Sequence, residues 1–382
     1  SNNKVVIAYR NQDDLEHGYA VVGTVSGTTI SFGTPVKFNA GNSEYNSIVY
    51  DTNAQKVVIC YTDASNSDYG TAIVGTVSGT SISFGTEVVF RSNTTRFIDS
   101  VYDSSNNAVV ITYKISGTDA GLAIVGTVSG TSISFGTATT YEATRVDEPS
   151  AAFDSSNNKV VIMWSDDGNT SLLTGIVGTV SGTSISFGTK VASSLETDEG
   201  NSGIDVTFDS GNGKIVVVSQ SQASPDKPTA LVATVSGTSL SFGSPVTINT
   251  NLTTGKMRVV YDSAVGKINV FYADRTSSDD LVYNVGTVSG TSISFGSKIT
   301  LIEAVGGFNK PYDFPSVTYD SNQQRVVFSY MIASSVDSSQ RGESIVIRNA
   351  GSIPNLTSEN FLGFAAHTYA DTQNAVINST CT

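Results

Sequence analysis

The string T-V-S-G begins at Thr24, Thr76, Thr127, Thr179, Thr234 and Thr287, at intervals of 52, 51, 52, 55 and 53 residues. A chain that repeats itself at this period must build one supersecondary unit many times over, and that constrains its fold more than any other feature. The fullest copy, residues 73–85, reads I-V-G-T-V-S-G-T-S-I-S-F-G. Upstream of it lies an apolar run ending in an aromatic, at 57–61, 109–113, 160–164 and 268–272. Before that come Tyr or Phe, Asp, a polar turn and usually Lys, as in Tyr50-Asp51 with Lys56 and Phe153-Asp154 with Lys159.

Each unit therefore holds four short runs rich in Val, Ile, Thr, Tyr and Phe, the residues a pleated sheet favours. In the second unit they are a (ending Tyr50-Asp51), b (56–62), c (70–77) and d (81–90). Asp, Asn and Ser separate a from b, and Ser-Gly separates c from d, both being tight-turn chemistry. No useful stretch has helical periodicity. Four strands at a period near 50 is the pattern of a β-propeller blade, whereas open solenoids use shorter coils.

Runs b and c occur seven times, the last at 325–330 and 343–348. The expectation is all-β: a seven-bladed β-propeller of four-stranded antiparallel blades occupying 1–382, with boundaries near 45, 97, 149, 204, 256 and 314. Run a occurs only six times, because Ser1 falls just before the first b run. Residues 374–380, N-A-V-I-N-S-T, match 46–52, N-S-I-V-Y-D-T, in the placement of apolar residues. This C-terminal strand is expected to complete the first blade and close the ring, which removes open edges. Residues 349–382 are read as a divergent last outer strand followed by that closing strand. Since Ser1 lies inside a repeat, the sequence is read as part of a longer protein.

Composition excludes more chemistry than it proposes. Charged residues make up 14% of the chain and the net charge is −13; a typical soluble domain carries about 25% charged residues. An acidic surface repels nucleic acid and anionic lipid, and no apolar run approaches the ~18 residues of a membrane span, so neither nucleic acid nor membrane insertion is expected. Two histidines and two cysteines leave little for a zinc site or a Cys/His nucleophile. Cys60 shares a slot in run b with Ala8, Thr112, Met163 and Val218, so it reads as a buried free thiol, unbonded to Cys381. Trp164 takes the aromatic slot of Tyr61, Tyr113, Tyr272 and Tyr330, which reads as packing.

The two ends of such blades differ. The a–b turns repeat Asp51, Asp103, Asp154, Asp209, Asp262 and Asp320, followed by Lys4, Lys56, Lys159, Lys214, Lys267 or Arg325 at the next strand. Recurrence in every unit argues that these aspartates cap their own turns. Six recurrent acids and six recurrent bases cancel, so the net charge resides elsewhere, much of it on or near the variable b–c and d–a loops. Binding residues concentrate on variable loops held by a rigid scaffold. The pairs Asp13-Asp14, Asp166-Asp167 and Asp279-Asp280 are expected to point apart, which disfavours paired-carboxylate catalysis. No cofactor is expected; Asp and Asn oxygens suit calcium, but the D-x-D-x-D-G loop is missing. Carbohydrate needs aromatic platforms and planar polar groups, for which the candidates are Tyr45, Tyr69, Tyr141, Phe308 and Tyr312 with Asp68, Arg96, Asp119 and Arg145.

The V-G-T-V-S-G-T-S-I-S-F-G core with its Y-D-S-S-N-N-K-V-V-I connector resembles repeats in virion and tail-fibre-like proteins of marine phages and viruses, over roughly residues 1–348. The tail N-L-T-S-E-N-F-L-G-F-A-A-H-T-Y-A-D is similar to a module that follows such repeats, although Thr372 replaces the glycine of its Y-A-D-G. The resemblance implies an exposed adhesion or decoration role and an extracellular or virion-surface location. The expected function is a non-enzymatic binding module presenting acidic loops to a glycan or surface protein. The alternatives are an architectural subunit packed against other copies or subunits of a larger assembly, and a polysaccharide-cleaving enzyme with an axial site.

Overall fold

A computed structural model describes residues 4–143, 145–198, 203–222, 226–251, 253–277, 279–303, 310–333, 340–349 and 364–366. The second repeat shows how the sequence becomes a sheet. Strand Lys56–Asp63 pairs antiparallel with the end of Val36–Asp51 on one side and with Tyr69–Ser78 on the other. Tyr69–Ser78 turns at Gly79-Thr80 into Ser81–Phe84, with Ser78 opposite Ser81. Gly79 sits at φ +61°, and its five equivalents lie between +60° and +62°. A two-residue hairpin that follows strand twist needs positive φ, which glycine adopts without a Cβ clash.

Run d is not one strand. It breaks at Gly85, whose N–H donates to the Val74 carbonyl at 2.9 Å, and resumes at Val88 against the first half of run c. Two short pieces therefore replace one long strand, and repeats build five-stranded rather than four-stranded sheets. The second piece continues without interruption into run a of the next repeat, as in Val36–Asp51 and Val88–Asp103. These two strands fuse the first part of the chain into one 12-stranded sheet, followed by three five-stranded sheets and one four-stranded sheet. The ladders thus delineate four separate blades and one continuous sheet, not seven separate four-stranded blades. Later junctions leave the ladder, for example between Thr139–Glu142 and Val146–Asp154.

The arrangement is propeller-like. Successive a strands pack against one another, and apolar side chains of neighbouring repeats interlock, as Val58, Cys60 and Val74 do with Val109, Ile111 and Tyr113. Val5, Val25 and Ile30 near the start of the chain pack against Val327 and Val346 near its end. Arg325 Nε also donates to the Gly27 carbonyl at 2.9 Å. Cys60 is a buried free thiol, and Trp164 is buried against Tyr141. All six recurrent aspartates accept backbone N–H groups of their own turns. The proposed closing segment 374–380 and Cys381 lie outside the described residues.

Candidate functional site at the axial mouth

Where the a strands meet, one register position is polar in repeat after repeat. Ser47, Asp99, Ser150, Asp205, Arg258 and Ser316 stand opposite Cys60, Thr112, Met163, Val218, Phe271 and Ser329. Asp99 accepts from Ser47 Oγ at 3.1 Å, Ser150 Oγ at 3.1 Å and Ala151 N at 2.9 Å, tying three successive a strands together. Asp205 accepts from Val259 N at 2.7 Å, and Arg258 Nε donates to the Pro315 carbonyl at 2.7 Å. This belt stitches the inner strands circumferentially, and its carboxylates are occupied as acceptors.

Burial pushes Asp205 up to about 6, with Arg258 pulling it partly back. An acid raised by folding binds more protons in the folded state than in the unfolded chain between its ordinary value, ~3.9, and its folded one. Stability is therefore lost as pH rises through that window. Asp205→Asn is expected to melt about 2 °C or more above the wild type at pH 7.5, with the gap closing by pH 4. A gap of the same size at both pH values would contradict this assignment.

Two residues before the belt, the a strands of Ser47, Asp99 and Ser150 carry a bulge, and Gly203 stands at the matching position just before the strand of Asp205. Tyr45, Phe97 and Glu148 occupy it at φ +49°, +50° and +43°, and Gly203 lies at +57°. A bulge re-aims a side chain, and non-glycine residues in this backbone region are concentrated at sites of function. Here it places the half-buried rings of Tyr45 and Phe97 with centroids 5.1 Å apart. Lys114 Nζ lies 5.7 Å from the Phe97 centroid and pairs with Asp119 at 3.2 Å and Asp147 at 3.5 Å. Burial raises the Asp147 carboxyl, which Lys114 lowers and Glu148 and Asp167 raise again. Burial likewise raises Asp198, helped by Asp226, while its carboxylate accepts from Gln220 Nε2 at 2.8 Å. The mouth is thus an aromatic pair set beside one lysine and several carboxylates.

The surrounding loops are clasped to one another through backbone bonds. Ser43 N donates to Glu16 O at 3.1 Å, Thr95 N to Asp68 O at 3.0 Å, Val146 N to Asp119 O at 2.9 Å and Asp167 N to Arg145 O at 3.0 Å. Such bonds hold the rim before any ligand arrives.

The sequence candidates divide accordingly. Tyr45 and Asp119 belong to the mouth. Arg96 is exposed in the adjoining strand, while Asp68 and Arg145 lie on the rim and contribute carbonyls. Tyr69 is half-buried at the start of its strand, opposite Asp63. Tyr141 is a correction: it is 7% exposed, packs on Trp164 and Phe187, and its hydroxyl meets Thr112 Oγ1 at 3.1 Å. It takes the position held by Phe38 and Phe90, which is core. Phe308 and the Tyr312 side chain lie outside the described residues. Phe97, Lys114, Asp147 and Glu148 were not singled out; aligning Phe97 with Tyr45 would have found the first.

Outside the mouth, Asp14 gathers Lys37 at 2.7 Å, Tyr19 at 2.5 Å and His17 at 3.2 Å, and the Lys37 contact above all holds its carboxyl far below the usual range. Asp166 and Asp167 turn to different partners, Lys190 and Ser171 respectively. Among the described residues, no group of three or more His, Cys, Asp or Glu is arranged to hold a metal ion, and no helix is long and apolar enough to cross a membrane.

Solved structures share this architecture at low identity. A protein from Lactobacillus plantarum superposes with a TM-score of 0.57 at 9% identity, covering 90% of this chain and 92% of that one. A putative 6-phosphogluconolactonase from Bacteroides uniformis gives 0.56 at 13%, over 91% and 98%. The fold is a β-propeller. The polysaccharide lyase Uly1 gives 0.54 at 7%, over 91% and 88%. Likeness at these identities carries the propeller fold and no activity. No family model and no curated protein matches the chain, and the resemblance to virion and tail-fibre-like repeats receives no support from the comparisons.

Proposed function

We propose that the chain is a non-enzymatic binding module, a seven-bladed propeller whose axial mouth takes a glycan outside the cell. The observation that carries this reading is the Tyr45–Phe97 ring pair, held at positive-φ bulges beside paired charges and clasped loops. Half-buried rings offer apolar faces to a sugar, and carboxylates with a lysine offer hydrogen bonds to its hydroxyls. A surface protein is the second kind of partner that such a face suits. The polysaccharide-cleaving alternative needs a free acid and base; Asp99 and Asp205 are instead engaged as acceptors between strands.

The count of seven rests on the recurrence of the b–c pairing at both ends of the chain. Closure by 374–380 is supported by strand Lys4–Asn11, which among the described residues pairs only with His17–Ser26. It is mostly half-buried, whereas its equivalent Lys56–Asp63 is nearly all buried.

A glycan array probed with the chain, followed by incubation with the strongest ligands, tests the reading. Binding to a subset of glycans with no release of new reducing ends is expected. New reducing ends, or no binding across neutral and charged glycans, would overturn it.

A further inference from the structure

The repeats serve as controls for one another at the junctions between sheets. At each junction one repeat contributes the residue after its core aromatic or aliphatic: Asn39, Arg91, Glu142 or Asn249. The next repeat contributes the slot aromatic Tyr61, Tyr113, Trp164 or Tyr272. It also contributes the residue three positions after S-F: Glu87, Ala138, Lys190 or Lys298; and the end of run b: Asp63, Ile115, Asp166 or Asp274.

Two of these junctions pair their charged groups internally, although Trp164 Nε1 in the first of them is enclosed without a hydrogen-bond partner among the described residues. At one, Lys190 pairs with both Glu142 and Asp166. At another, Asn249 Nδ2 donates to Tyr272 Oη at 3.1 Å and Lys298 pairs with Asp274. The Asn249–Tyr272 bond also shows that these two register positions lie within hydrogen-bond reach.

The Asn39–Tyr61 junction leaves Asn39 Nδ2 and Tyr61 Oη enclosed without a partner among the described residues, and the Arg91–Tyr113 junction differs from it in that the unpartnered group is a cation. Positions that carry charge elsewhere are here Ala138 and the buried Ile115. Among the described residues Arg91 Nε and Tyr113 Oη are both enclosed and without a hydrogen-bond partner. Tyr113 is fully buried, and burial raises its phenol to about 12 although the Arg91 charge lowers it. Leaving a guanidinium N–H and a phenol enclosed without an acceptor is costly, and the cost falls when a carboxylate joins them. Arg91 as a whole is only half-buried, although its Nε and the Tyr113 hydroxyl are enclosed.

We propose that the Arg91–Tyr113 junction is a second ligand site, which takes a carboxylate supplied from outside the chain. The guanidinium fork matches a carboxylate geometrically, and the phenol donates a further bond. The carboxylate has two sources, a free small acid or the uronate of an acidic sugar.

Thermal melts in sodium acetate, sodium D-glucuronate and sodium chloride at matched ionic strength test this, with circular dichroism confirming that each variant is folded. The wild type is expected to gain stability from carboxylate and not from chloride. Arg91→Gln should abolish the response and Tyr113→Phe should weaken it. Ala138→Glu should melt higher without ligand and no longer respond, because the chain then supplies its own carboxylate. Equal midpoints for the two acids support a free small acid, and a tenfold lower midpoint for glucuronate supports an acidic sugar. No carboxylate-specific response in the wild type, or one retained in both Arg91→Gln and Ala138→Glu, would overturn the site.

Discussion

Gly85→Ala is expected to lower stability by about 3 kcal/mol or more, at or above the upper end for overpacking. A Cβ at Gly85 would lie 1.8 Å from the Thr131 carbonyl oxygen, which belongs to the hairpin turn of the next repeat. Backbone cannot yield as a flexible side-chain tip can. Gly33, Gly136, Gly188 and Gly243 meet Thr80, Thr183, Thr238 and Thr291 in the same way, at 1.8 to 2.1 Å. The glycine of S-F-G is therefore the contact by which one sheet seats the turn of its neighbour. Gly296 provides the internal comparison, since among the described residues the atom nearest to a Cβ there is the Val285 carbonyl oxygen at 3.8 Å. Gly296→Ala should change stability by about 0.5 kcal/mol or less, as substitutions away from such contacts do. Urea unfolding of the two variants checks the pair, and equal losses would refute the seating role.

That glycine shows what was legible from residues alone. Its recurrence was plain, and so were the hairpin turns and the capping aspartates, because each is decided by backbone geometry within a few residues. The break in run d was not, because it depends on which carbonyl of run c the Gly85 N–H reaches once the sheet has formed. Fusion of Val36–Asp51 and Val88–Asp103 into through-strands was equally hidden, since bulges let the chain cross from one ladder to the next without turn residues. At the mouth the difficulty was direction. Tyr45 and Tyr141 both look like loop aromatics, yet one stays half-buried at a bulge beside Phe97 while the other fills the slot of Phe38 and Phe90. The polar belt was readable in principle: Ser47, Asp99, Ser150, Asp205, Arg258 and Ser316 recur beside apolar neighbours, and internal alignment at that column exposes them. Lys114 was not, because its partner Asp147 lies in the next repeat.

Tyr45→Ala is expected to weaken glycan binding about 10- to 100-fold, roughly 1.4 to 2.7 kcal/mol. The substitution removes one of two rings that meet at a tilt of 56° at the mouth, and aromatic anchors of this kind dominate the energetics of a contact surface. Tyr45 is half-buried and follows the ladder register only as far as Glu44, so its loss leaves the strand pairing intact. Tyr50 supplies the matching control, being 36% exposed at the other end of the same strand, beside the turn capped by Asp51. The decisive measurement is calorimetric titration of the strongest array ligand into the wild type, Tyr45→Ala and Tyr50→Ala. The account predicts at least a tenfold loss of affinity for Tyr45→Ala with Tyr50→Ala at the wild-type value. Undiminished binding by Tyr45→Ala, or an equal loss in Tyr50→Ala, would contradict it.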